Sequence, residues 1–139
     1  MNIITKTLFY QTRGKNDILD ITEDVTRELN TTKMKNGIVT IFIPGSTGAI
    51  TTIEYEPGLL LDLPNILEKI APRNLSYEHE KRWHDGNGHS HVRASLIGPS
   101  LTVPFADKVL TLGTWQQIVF LELDARNRRR KIILQIMGE

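Results

Sequence analysis

The segment Ile38-Val39-Thr40-Ile41-Phe42-Ile43, closed by Pro44-Gly45, constrains the fold more than any other part of the chain. So apolar and β-branched a run predicts a central strand buried on both faces, which in turn demands neighbouring strands and covering layers. The rest of the sequence supplies them. Residues 3–11 read as a strand ended by Thr12-Arg13-Gly14, and 49–54 as a partner reached through Pro44-Gly45-Ser46-Thr47-Gly48. Residues 91–97, 101–105, 116–123 and 130–137 read as four more strands, separated by Gly98-Pro99, Gly113 and Asp124-Ala125-Arg126-Asn127.

Two helical stripes accompany them. Asp17 is a candidate N-cap for Ile18, Ile21, Val25 and Leu29, and a second helix enters near Asp62 to Pro64, carrying Ile66, Leu67 and Ile70 inward until Pro72. Residues 73–90 are polar, without periodicity. The order βαββα followed by four strands predicts an α+β fold: a large, mainly antiparallel sheet with two helices packed on it. With 139 residues and no repeat, low-complexity tract or linker, the expectation is a single domain spanning residues 1–139. The last strand runs almost to the carboxyl end and is expected to be tied into the sheet.

Charge narrows the function. Seventeen Lys+Arg against sixteen Asp+Glu argue against an acidic disordered tail and a strongly basic nucleic-acid binder. The one basic run, Arg126-Asn127-Arg128-Arg129-Arg130-Lys131, reads as a solvated hairpin tip. Without cysteine, any metal must rest on histidine, carboxylate or water. The amino terminus lacks a secretory pattern and no stretch approaches ~18 apolar residues, so the expectation is a cytoplasmic protein without a membrane partner.

Chemistry concentrates in one place. All four histidines, His79, His84, His89 and His91, fall within thirteen residues that also hold Trp83, Asp85 and Asn87. Read as the start of a strand, His89, His91, Arg93 and Ser95 share one face and Val92, Ala94 and Leu96 the other. A His-x-His pair can deliver two nitrogens to one ion, with His79 or His84 and Asp85 or Glu54 as further ligands. The plainer alternative is a set of exposed polar residues on a long loop. Ser46 and Thr47 offer hydroxyls beside two glycines, as an anion would need, though a hairpin turn explains them equally well. Trp115 reads as a core indole, and Gln116 as a candidate hydrogen-bonding group at a strand mouth.

These motifs together resemble the YjbQ-like family, also called secondary thiamine-phosphate synthase-like proteins. The residues that carry the likeness are Gly45 to Glu54, Tyr77-Glu78-His79-Glu80, Asn87 to Ser95, Gly98-Pro99-Ser100, Pro104, Leu112-Gly113-Thr114-Trp115-Gln116 and Gln135 to Gly138, so it covers essentially the whole chain. The resemblance implies a compact α+β fold, a homotrimer with clefts near subunit boundaries, and a site around His79, His91 and Glu54. One departure stands out: many members carry histidine where this chain has Gly45, and His84 and His89 are candidates to take its place.

The implied activity is an enzyme of small phosphorylated molecules, joining a pyrimidine methyl diphosphate to a thiazole phosphate with loss of pyrophosphate. A divalent ion, zinc first, would be held by His79, His84, His89 and His91. Glu54, Asp85 and His91 would be the catalytic residues, while Arg93, Ser46, Thr47, Ser100 and Gln116 would meet the substrate. The same groups suit metal-assisted hydrolysis. The alternative is a non-catalytic homotrimeric module whose histidines bind a ligand or a structural metal.

Overall fold

A computed structural model describes residues 1–139. The elements run β1 (Asn2–Gln11), β2 (Asp17–Asp20), α1 (Thr22–Asn30), β3 (Gly37–Phe42), β4 (Gly48–Ile53), α2 (Pro57–Ile70), α3 (Glu78–Trp83) and α4 (Gly88–Ile97), then β5 (Ser100–Ala106), β6 (Val109–Leu110), β7 (Gln117–Glu122) and β8 (Arg129–Gly138). The class is α+β as expected. The strands divide into a five-stranded sheet, β1-β8-β3-β5-β6, and a three-stranded sheet, β2-β7-β4, with every pairing antiparallel.

Alternation along the strands builds the main core. Ile132, Leu134 and Ile136 of β8 and Val39 and Ile41 of β3 meet Ile50, Ile118 and Phe120 of the smaller sheet, while Val25 and Leu29 of α1 join the same cluster. A second cluster forms on the other face of the three-stranded sheet. Val119, Leu121 and Ala49 there meet Leu67 of α2 and Ala94 of α4. Burial on both faces therefore belongs to β7, whose Ile118 to Leu121 are fully enclosed. In β3, Ile38 and Phe42 are 38% and 42% exposed, because no helix covers the outer face of the larger sheet within one chain. The expected double burial of β3 is corrected accordingly.

Local chemistry moves several boundaries. Asp17 lies in β2, taking the Arg13 backbone N–H and guanidinium, and it is Asp20 whose Oδ1 accepts from the Thr22 N–H and hydroxyl at the entry to α1. Helix α2 starts at Pro57, because the Glu56 carboxylate takes the N–H groups of Gly58 and Leu59 and proline suits the first helical turn. Of its three expected inward residues only Leu67 is buried; Ile66 and Ile70 are exposed. Residues 73–90 contain α3, and 91–97 belong to a helix rather than a strand. Ser90 and Ala94, one turn apart, are the small residues that let α4 lie close on β4. Gly98, at φ 102°, ends it. No helix is long and apolar enough to cross a membrane.

Candidate functional site

The helical state of 88–97 sorts the histidines. Residues four apart share a helix face, so His89 goes with Arg93 and His91 goes with Ser95, whose hydroxyl donates to the His91 carbonyl at 2.9 Å. The expected row of His89, His91, Arg93 and Ser95 does not exist.

What replaces it is a fold-back of α3 on α4. The Glu80 carboxylate accepts the N–H of Gly86 at 2.7 Å and of Gly88 at 2.6 Å, and those two donors hold its carboxyl below the usual carboxylate range. His84 caps α3 in the left-handed region at φ 52°, and Gly86 follows at φ 73°, so the chain reverses within a few residues. Gly88 sits where an added Cβ would come within 2.5 Å of the Tyr77 Cβ. This close approach brings the His79 and His91 rings to 4.4 Å between centroids, tilted by 49°.

Asp85 completes the group. Its Oδ1 accepts the Asn87 N–H at 3.0 Å and lies 3.4 Å from His79 Nδ1, a contact that lacks hydrogen-bond alignment. One ligand atom from each of His79, Asp85 and His91 can be chosen so that all three lie within 4.8 Å of one another, and the three residues are half-buried. His79 Nδ1 itself is enclosed and has no hydrogen-bond partner. Buried polar atoms are nearly always paired, so an orphan nitrogen beside a carboxylate and a second imidazole fits a cation as the missing partner.

The other expected site residues lie elsewhere. His84 is exposed, and Glu54 is exposed just past β4, outside the group of three. His89 faces away from His91; burial, reinforced by the nearby Arg93 and Arg73 guanidinium groups, holds its imidazole below the ordinary value. Arg93 is committed to structure: Nε and Nη2 donate to the Ala71 carbonyl, Nη2 also to Glu68, and Nη1 to Asn16. Thr47 is buried, donating to Asp124 and accepting from Arg130, while Ser46 is exposed in the adjoining turn. Ser100 and Gln116 line a separate groove of about 400 Å³, with Gln116 donating to Thr52. Trp115 is exposed, not a core indole.

Residues 6–139 match the family model described as UPF0047 protein YjbQ-like. The chain belongs to the YjbQ-like family. A UPF0047 protein of Methanothermobacter thermautotrophicus is 41% identical over 133 residues, covering 95% of this chain and 92% of its own. One from Methanocaldococcus jannaschii is 35% identical and covers 99% of both chains. Among solved structures, a YbjQ-like protein of unknown function from Sulfolobus solfataricus superposes with a TM-score of 0.94 at 31% identity, covering 99% of each chain.

For this YjbQ-like chain, the sequence gives no role to Glu80, which holds the reversal, and places Asn87 in the segment without showing that its amide bridges Asp124 and the Ala125 N–H. Glu80 carried a usable signal: a carboxylate in a short helix, six residues before a Gly-x-Gly reversal, is placed to accept its free N–H groups once the chain turns back.

Proposed function

We propose that this YjbQ-like protein is a metal-dependent enzyme acting on a small phosphorylated metabolite, resembling a secondary thiamine-phosphate synthase. His79, Asp85 and His91 hold a divalent cation, zinc first. The observation that carries the reading is the enclosed, partnerless His79 Nδ1 beside Asp85 and His91. Leaving such an atom unpaired costs about 1–3 kcal/mol, which a bound cation would offset. Two imidazoles and one carboxylate are a donor set that zinc accepts, and three protein ligands leave a coordination position open, as catalytic sites do.

A zinc ion held there would polarise a phosphoryl oxygen and lower the pKa of its water towards ~7. The protein's own groups do the positioning. Asn87 N–H steadies the Asp85 carboxylate, α4 fixes the His91 ring, and the Glu80 clamp keeps α3 and α4 together. In this reading His84 and His89 leave the ligand set.

The reading includes a homotrimer, supported by the uncovered outer face of the five-stranded sheet, where Ile3, Phe9, Ile38 and Phe42 are exposed. Glu54, which lies outside the group of three, has no role in this reading. A cytoplasmic setting without nucleic acid is retained; Arg130, one of the cations of the basic run, is turned inward onto Glu122.

The test is turnover. Zinc-loaded protein is offered phosphorylated pyrimidines, thiazoles and simple phosphoesters, and release of phosphate or pyrophosphate is followed for wild type and Asp85→Asn. The expected result is turnover that falls at least a hundredfold in the variant while its circular dichroism is unchanged. No turnover from a zinc-loaded wild type would favour the non-catalytic trimeric module.

A further inference from the structure

The far side of α4 carries a feature that the metal reading does not use. His89 and Arg93, 4% and 3% exposed, line a cavity of about 130 Å³ together with Lys15, Asn16, Glu68 and Arg73. That volume equals the share of roughly four liquid waters, the scale of a tetrahedral oxyanion. Its walls carry three side-chain cations and one carboxylate. The carboxylate is already engaged: Glu68 accepts from Arg93 at 2.6 Å and from the Arg73 N–H at 3.1 Å. Lys15 and Arg73 have no carboxylate within ion-pair distance. With its oxygen held by Arg93, the Asn16 amide keeps its NH₂ as a donor.

The backbone at the mouth is unusual in the same place. Lys15 and Asn16 are both left-handed, at φ 55° and 63°, and are pinned by N–H bonds to the Asp124 and Glu122 carbonyls, each 2.9 Å. Non-glycine residues held this way persist only where their surroundings over-determine them, and they cluster at functional sites. The same two residues form one wall of an adjoining open groove of about 450 Å³ that also contains Tyr55 and Leu60.

We propose that this cavity binds a phosphate dianion, carried by a small phosphomonoester whose organic part lies in the groove against Tyr55 and Leu60. Lys15 and Arg73, neither paired with a carboxylate, supply the charge, Arg93 holds Glu68 and Asn16 in place beside them, and Asn16 and His89 supply hydrogen bonds. The site rests on residues separate from His79, Asp85 and His91 and stands whether or not those bind metal.

Calorimetry on metal-free protein tests it, with inorganic phosphate and phenyl phosphate as probes. Wild type and His79→Ala should bind inorganic phosphate saturably, one per chain, and Arg73→Gln and Lys15→Gln should weaken it at least tenfold. Both substituted residues are exposed, so the fold is expected to survive. Tighter binding of phenyl phosphate than of inorganic phosphate supports the ester, whereas equal affinities overturn the groove's role and leave free phosphate as the ligand. Absence of saturable binding, or equal binding by wild type, Arg73→Gln and Lys15→Gln, overturns the site, as does loss of binding in His79→Ala.

Discussion

His79 Nδ1 and the Asp124 carboxylate are both enclosed polar groups, and they differ in whether the protein itself answers them. Asp124 accepts from Asn87 and the Arg126 N–H on one oxygen and from Thr47 on the other. Burial alone would push its carboxyl up; these donors outweigh it and hold the group below the usual carboxylate range. A carboxylate depressed on folding stabilises the native state above its ordinary value, and that stability is lost as pH falls through the lower folded value. Asp124→Asn should therefore flatten the acid limb of a urea-unfolding series below about pH 4 and cost about 1–3 kcal/mol near neutrality. Gly88→Ala tests the other group. With the new methyl meeting Tyr77, α4 must shift from α3, and the variant should lose about 1–3 kcal/mol in thermal melts and bind zinc at least tenfold more weakly.

At the scale of elements, α4 decides how the site is built and shows where the sequence was hard to read. Its alternation of His89, His91, Arg93 and Ser95 satisfied a strand pattern. The signal for helix was weaker: Ser90, Ala94 and Ile97 at spacings of four and three, made of small residues whose value lies in letting a helix approach β4. The histidines were thus identified as a group but divided wrongly, since a turn of helix sends His89 and His91 to different faces. By contrast β1, β3, β4, β5, β7 and β8 were legible, because each is a run rich in β-branched or aromatic residues bounded by turn residues, a stronger signal than alternation alone. The Lys15, Asn16 and Arg73 cavity was not, because its residues come from β2's approach, α2's exit and α4, and only tertiary packing joins them. Ala94→Leu should overpack the α4–β4 contact, costing about 1–3 kcal/mol in chemical denaturation while leaving the main core intact.

On the scale of the whole molecule, the uncovered face of the five-stranded sheet and the three-residue cluster set the terms. Apolar Ile3, Phe9, Ile38 and Phe42 lie open on that face, although β3's sequence promised cover on both sides. A second copy is the cover that the trimer reading requires. On that reading wild type should be a trimer by light scattering, and Phe42→Lys should leave the chain folded, by circular dichroism, but monomeric; a variant as trimeric as wild type would place the interface elsewhere, and a monomeric wild type would overturn the trimer. In the proposed function, α3 and α4 fold back to make one zinc site per chain from His79, Asp85 and His91. Zinc titration of apo-protein by calorimetry, comparing wild type with His79→Ala, His91→Ala and His84→Ala, addresses it most directly. Wild type and His84→Ala should each take up one tight zinc per chain, and His79→Ala and His91→Ala none; equal uptake by all four proteins would rule out the site.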